Sequence, residues 1–398
     1  MTEIAALLDW PDELAYDIGG LPTPCYLIEE ERLAANLALL AGLKTASGCR
    51  ILLGQKGFAM HRVYPLLATV LDGTTASSLH ELRLAADYFP GERQIYSPAY
   101  RPDDFAEIAR LADVVIYNSF GELERGLARG AGSGRCGMRL NPEHSTQGGG
   151  LYDPCAPHSR LGITRARWDQ TATDALIRAL DGFHMHTLCE QNVDALSETV
   201  AALEERFGDV LAAARDAGRL GFLNLGGGHH ITRPDYDRAE LARLLTELGR
   251  RYLCPIYIEP GEAVALNTGW LITTVLAIEE NGMPLAILDA SAECHMPDVL
   301  GMPYRPHILG SGRPGTKPHV YRLGSASCLA GDVLGDYAFD WPLAVGDRLV
   351  LGDMAHYTMV KNNTFNGLGL PTIVLRRLDG ELEIVRTFGY QDYRDRLS

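Results

Sequence analysis

Between residues 50 and 260, short runs rich in aliphatic and β-branched residues alternate with stretches whose apolar residues recur every three or four positions. The runs are ILLGQ (51–55), GTTAS (73–77), QIYSP (94–98), DVVIYN (113–118), CGMRLN (136–141), GFHMHT (182–187), GFLNLG (221–226) and PIYIEPG (255–261). Their length and composition predict strands, and stretches such as SLHELRLAADYF and SFGELERGLARG carry helical spacing. Eight strands alternating with helices predict a (β/α)8 barrel, with a doubly wound open sheet as the competing topology. The count of eight favours the barrel.

After about residue 270 the pattern changes to strands separated by Gly, Pro and Asp turns, with no long helix between them. GWLITTVLAIEE, PLAILDA, HVYRLG, DRLVLGD, TIVLRRL and LEIVRTFG are these strands. TPCYLIE (23–29) precedes the first barrel helix and is a candidate strand of the same β domain. The expected division is a barrel over residues 31–269 and a β-sandwich or β-barrel domain from 1–30 plus 270–398. The Gly/Pro-rich loop PEHSTQGGGLYDPCAPHSR (142–160) is long enough to be an active-site loop.

Composition narrows the partners. With 398 residues, 46% hydrophobic and 22% charged, the chain can bury a large core. A net charge of −15 speaks against nucleic acid or an anionic membrane and is compatible with a cationic substrate. Eight cysteines without CxxC spacing read as reduced thiols, which points to a cytoplasmic setting. The first twenty residues lack the charge and apolar core of a signal peptide, and no run of about eighteen apolar residues exists.

In a barrel, reactive groups belong at the C-terminal ends of strands. Lys56 stands at the first such end, His184 and His186 at the sixth, Gly226, Gly227 and Gly228 with His229 and His230 at the seventh, and Glu259 at the eighth. Each alone has a structural explanation: a surface lysine, a hydrogen-bonded histidine, a tight turn, a turn-capping acid. Four on one rim shift the balance. A lysine amine for an aldehyde, side-chain-free amides followed by a helix start for a phosphate, a ring-stacking histidine and an acid for a pyridine nitrogen suit pyridoxal phosphate. A metal set drawn from His184, His186, Cys189, His229, His230 and Glu259 matches no spacing such as HExxH and would leave Lys56 unexplained.

Those residues, with the stretches GQKGFAM, HMHTLCEQN, LNLGGGHHIT, IEPGEAV, CHMPDVLGMPYRP and SCLAGDVLGDY, resemble the fold-type III pyridoxal-phosphate decarboxylases. This is the alanine racemase-like family of ornithine, arginine and diaminopimelate decarboxylases, and the similarity is greatest to its carboxynorspermidine (carboxyspermidine) branch. It runs from TPCYLIEEERLAANL to MVKNNTFNGLGLP. The resemblance implies that Lys56 carries the cofactor and that His186 stacks on its ring. Gly226 to Gly228, Cys189 and Tyr357 would then face its phosphate, and Glu259 its ring nitrogen. Cys328 would be the proton donor, contributed by the second subunit of a homodimer. Asp332 would lie near a distal amine of the substrate, with Phe365 an aromatic beyond Tyr357.

One departure bears on substrate. Relatives acting on ornithine or diaminopimelate carry arginine after Glu-Pro-Gly, where this chain has Glu262. Glu262 and Asp298 suit a cation, and Arg305 resembles an arginine used on a substrate carboxylate. The mixture implies a polyamine tail on an amino-acid head, in polyamine biosynthesis. A decarboxylase or racemase of another basic amino acid is the alternative, and a non-catalytic carrier of the cofactor is opposed by the CLAGD stretch.

Overall fold

In the computed structural model, which describes residues 11, 13–130, 134–147 and 152–398, the chain forms two compact units. Asn36–Val264 make one unit, and the described residues up to Ala35 join Ala265–Ser398 in the other. After β1 (Cys25–Glu29) come β2 (Arg50–Gly54), β3 (Gly73–Ala76), β4 (Glu92–Tyr96), β5 (Val114–Tyr117), β6 (Arg135–Arg139), β7 (Gly182–His184), β8 (Phe222–Asn224) and β9 (Ile256–Ile258). Each of β2 to β8 pairs in parallel with the next, and β9 closes onto β2 with Arg50 opposite Tyr257 and Ile51 opposite Ile258. The predicted eight strands are therefore a closed barrel, and the open-sheet alternative is excluded.

Local chemistry explains the elements. Helix Leu79–Tyr88 starts at Ser78, whose Oγ accepts from the Glu81 N–H at 3.3 Å, and Phe120–Leu127 starts in the same way at Ser119. Helix Val193–Asp216 buries Leu196, Val200, Leu203, Phe207 and Leu211, the stripe that helical spacing foretells. At the N-terminal end of the barrel, Glu92 holds Arg135 at 2.9 Å and accepts from the Tyr257 hydroxyl at 3.0 Å. That end is closed by ion pairing; the opposite end carries the reactive groups.

The second unit adds β10 (Gly269–Glu280), β11 (Pro284–Leu288), β12 (Ser311–Gly312), β13 (His319–Ser325), β14 (Val333–Phe339), β15 (Arg348–Gly352), β16 (Thr372–Arg376) and β17 (Leu382–Arg386). The sheet order is β12-β14-β13-β11-β10-β1-β16-β17, and β15 also pairs with β10. β1 thus lies between antiparallel β10 and parallel β16, around a core of Leu27, Trp270, Ile272, Val350 and Val374. β14 is absent from the sequence-derived strands because Gly335 and Asp336 interrupt its apolar run; pairing with β13, Tyr321 opposite Tyr337, decides it. Residues 1–10 and 12 of the expected β domain, and 148–151 of the loop 142–160, lie outside the described residues.

All eight cysteines are free thiols. Among the described residues, no helix is long and apolar enough to cross a membrane.

Two buried histidines make stability depend on pH. Burial pushes His229 down to about 3 and His295 down to about 4. Both stay neutral in the folded chain, whereas an unfolded imidazole takes a proton below its ordinary value of about 6.5. The penalty is absent above that value and grows as pH falls, by about 1.4 kcal/mol per pH unit for each histidine. The urea midpoint should therefore fall between pH 7 and pH 5; a flat midpoint would contradict the assignment.

Candidate active site

Gly54 ends β2, and its N–H donates to Pro260 O at 2.9 Å, tying the β2 end to the turn after β9. At Gly57 a Cβ would stand 2.9 Å from Glu262 N, so glycine is what lets these two turns pack. Lys56 sits between these glycines. Its side chain reaches solvent, and the surrounding protein, then the Arg139 guanidinium, push its amine below the ordinary lysine value. The Lys56 Nζ lies 3.5 Å from His186 Nε2.

The Gly227 N–H donates to His186 Nδ1 at 3.1 Å, which assigns the imidazole proton to Nε2, facing the lysine. Burial, then Lys56 and Arg139, hold His186 well below its ordinary value. A neutral imidazole N–H thus points at an amine with a depressed pKa, the state in which lysine is a nucleophile. This is why one lysine ends an apolar strand.

Glu259 follows β9 and is buried. Asn224 Nδ2 donates to its Oε1 at 2.8 Å, and His184 Nε2 is 3.3 Å from Oε2. Burial alone would raise the carboxyl, but His184, Asn224 and Thr75 hold it below the usual range, so it stays ionised. Burial also keeps His184 below its ordinary value, and its ring stacks on Tyr96 with centroids 5.6 Å apart. A buried anion beside a neutral imidazole can hold the proton of a heteroaromatic nitrogen.

The glycine loop packs against its neighbours at close range. A Cβ at Gly226, Gly227 or Gly228 would lie 2.5, 2.2 or 2.0 Å from the carbonyls of Met185, Glu259 or Leu188, and Gly226 and Gly228 have φ of +72° and +86°. One part of the expectation is corrected. No helix begins directly after this loop; the next one is Arg238–Tyr252, and the Gly226 amide donates to Asn224 Oδ1 at 2.9 Å. The loop therefore offers no helix terminus to an anion, and two of its three amides, those of Gly226 and Gly227, are taken by Asn224 and His186. Cys189 N would lie 3.2 Å from a Cβ on Gly228, which places Cys189 on the same rim, and its carbonyl accepts from Gln147 of the loop 142–160 at 2.5 Å.

Glu262 belongs to the same unit. Among the described residues, Glu190, His230 and Glu262 bring one donor atom each within 4.8 Å of one another. Of the six metal-ligand candidates weighed from the sequence, only His230 belongs to this set.

Two residues of the rim were missed, and a third was named without its partner. Arg139, at the end of β6, is buried, donates to His186 O at 2.8 Å and lies 4.5 Å over the Tyr96 ring. An arginine inside the apolar run CGMRLN was the available signal. Glu81 accepts from the Ser77 N–H at 2.6 Å, and burial raises its carboxyl while Lys56 opposes that rise. His184 was placed on the rim and weighed as a metal ligand; its contact with Glu259 is what the sequence did not show.

The remaining expected residues belong to the second unit. Cys328 is exposed and its N–H donates to Asn366 Oδ1 at 2.8 Å. Tyr357 has φ of +43°, a strained value for a non-glycine residue, and Phe365 is exposed. Asp298 is ion-paired with Lys361. Arg305 donates to Asp336 O at 2.6 Å and stacks 3.5 Å over the Tyr337 ring. Asp332 is buried, with both carboxylate oxygens engaged by its own unit.

A barrel rim with a depressed lysine, a buried carboxylate and a glycine loop, followed by a mixed-sheet unit, defines a class. The family model for "pyridoxal-dependent decarboxylase, C-terminal sheet domain" matches residues 16–355. The chain belongs to this family and is a pyridoxal-phosphate-dependent carboxy-lyase. It is 44% identical over 383 residues to carboxyaminopropylagmatine decarboxylase of Synechocystis sp., covering 96% of each chain. It is 38% identical over 384 residues to carboxynorspermidine/carboxyspermidine decarboxylase of Campylobacter jejuni, covering 94% of this chain and 98% of that one. The crystal structure of the C. jejuni carboxynorspermidine decarboxylase complexed with norspermidine matches with a TM-score of 0.86 at 37% identity, over 94% of this chain and 100% of that chain.

Proposed function

We propose that the chain decarboxylates the amino-acid head of carboxynorspermidine or carboxyspermidine, releasing norspermidine or spermidine in polyamine biosynthesis. The observation that carries this reading is the Lys56–His186–Glu259 rim in a chain 38% identical, nearly end to end, to an enzyme named for those substrates. Pyridoxal phosphate, when bound, supplies an electron sink for the carbon that loses its carboxylate. The rim fits that group. His184 Nδ1 is buried without a hydrogen-bond partner among the described residues, Glu259 is a buried anion kept ionised by His184, Asn224 and Thr75, and Lys56 has a depressed amine.

In this reading Lys56 holds the cofactor's aldehyde carbon, and His186 lies against its ring. Glu259 keeps the proton on its ring nitrogen. Gly226 to Gly228, Cys189 and Tyr357 face its phosphate. The partner subunit's Cys328 gives its thiol proton to the substrate α-carbon as general acid. Glu262 and Asp298 hold aminium groups by charge-assisted hydrogen bonds, and Arg305 meets a carboxylate. The enzyme works as a homodimer with shared sites, in the cytoplasm.

The 44% identity to carboxyaminopropylagmatine decarboxylase favours a second reading, in which the tail ends in a guanidinium. A panel assayed for carbon dioxide release separates the two: carboxynorspermidine, carboxyspermidine, carboxyaminopropylagmatine, diaminopimelate and ornithine. A preference for diaminopimelate or ornithine would overturn both. In the same panel Glu262→Gln should lower kcat/KM for the preferred polyamine about ten- to a hundredfold, because one charge-assisted bond is lost. The cofactor's absorbance should not change; an intact kcat/KM would remove Glu262 from tail binding.

A further inference from the structure

We propose that Asp332 is a positioning residue that holds the Cys328 loop, and that it does not contact the substrate's distal amine. The proposal rests on the reading of Cys328 as the proton donor.

Asp332 is 3% exposed. Its Oδ1 accepts from the N–H groups of Ala292 at 2.7 Å and Glu293 at 3.2 Å, which open the short helix Ala292–His295. Its Oδ2 accepts from the hydroxyls of Ser291 at 2.6 Å, Ser325 at 2.5 Å and Ser327 at 2.5 Å. Five donors meet a group with about four lone-pair sites. No acceptor capacity remains for an aminium.

The same bonds tie the chain on either side of Cys328. The Asp332 N–H donates to Leu329 O at 3.0 Å, closing a turn, and Ser325 N–H donates to Asp332 O at 3.3 Å. Ser327 Oγ, while donating to Asp332, accepts from the Leu329 N–H at 3.3 Å.

A second route reaches Cys328 from the same helix. Asn363 donates through its N–H to Cys294 O at 2.8 Å and through Nδ2 to Glu293 O at 2.9 Å. Its Oδ1 accepts from the Phe365 N–H at 2.9 Å, and Asn366 next to it takes the Cys328 N–H. The circuit runs from Asp332 through the helix, Asn363 and Asn366 to Cys328, and back through Ser327 to Asp332. The Cys328 side chain stays outside it, as the one exposed thiol among the described residues. Proton transfer to carbon tolerates little misplacement, so a thiol on a loop needs such a frame.

Asp332→Asn tests this selectively. The amide oxygen can still serve the two helix N–H groups, but the amide nitrogen replaces the oxygen that the three hydroxyls need. Ser327→Ala is the second variant: it cuts one loop tie and leaves the helix contacts in place. Hydrogen exchange is followed by mass spectrometry over 325–332 in the cofactor-loaded enzyme, together with kcat and KM. Exchange in that segment should accelerate about ten- to a hundredfold in both variants, with the barrel peptides unchanged. The kcat should fall about tenfold, with KM within about twofold.

Unchanged exchange overturns the proposal. So does a raised KM with full kcat, which would return Asp332 to the substrate's tail. A Cys328→Ala enzyme with full kcat would instead defeat the proton-donor reading, and the exchange result would still decide what Asp332 does.

Discussion

Lys56→Ala should fold, lose about a thousandfold or more in kcat, and fail to keep pyridoxal phosphate attached after borohydride reduction. Lys56 is the amine on this rim whose surroundings weaken its hold on a proton: the surrounding protein and Arg139 depress it, and the imidazole proton facing it lies on His186 Nε2. An alanine there removes the nucleophile without disturbing the packing of Gly54 and Gly57. Mixed with separately inactive Cys328→Ala subunits, Lys56→Ala should recover about a quarter of the wild-type activity, since half the dimers would be mixed and each would hold one complete site. A Lys56→Ala protein that still traps the cofactor covalently would refute the assignment. A mixture that forms heterodimers and stays inactive would refute the shared site.

Glu259→Gln should lower kcat about a hundred- to a thousandfold for every substrate in the panel, with KM little changed. The carboxylate is ionised despite burial because Asn224, His184 and Thr75 are arranged around it. Glutamine can still accept from Asn224 through its carbonyl oxygen, so the pocket should keep its shape. What disappears is the charge that keeps a proton on the ring nitrogen. The loss should therefore be substrate-independent, unlike that of Glu262→Gln, which should fall on the polyamine tail. A Glu259→Gln enzyme impaired only in KM would show that the acid binds substrate and does not serve the ring.

Much of this arrangement is local, and local features are legible along a chain. The eight barrel runs declare themselves because a strand's length and β-branched content need no distant partner to be recognised. The rule that reactive groups sit at strand ends then singles out Lys56, Glu259 and the glycines from position alone. β14 escaped because its Gly335 and Asp336 read as a turn, and only the register against β13 makes a strand of them.

Side-chain partnership is a different matter. Lys56 and His186 are 130 positions apart, Glu259 and His184 are 75 apart, and Asp332 meets Ser291 from 41 residues away. Nothing in the spacing distinguishes His184, which meets the acid, from His186, which meets the lysine. Nor does it tell that Asp332 is spent on its own loop while Cys328 is left exposed. By itself the sequence determined the barrel's strand count, the change to a β domain, the family and the rim on which the chemistry collects, because each follows from short-range pattern. Barrel closure, the charge states of Lys56 and Glu259, the part played by Arg139 and the internal use of Asp332 were decided only in the tertiary structure. Burial and hydrogen bonding between remote segments set them, and those energies do not exist until the segments meet.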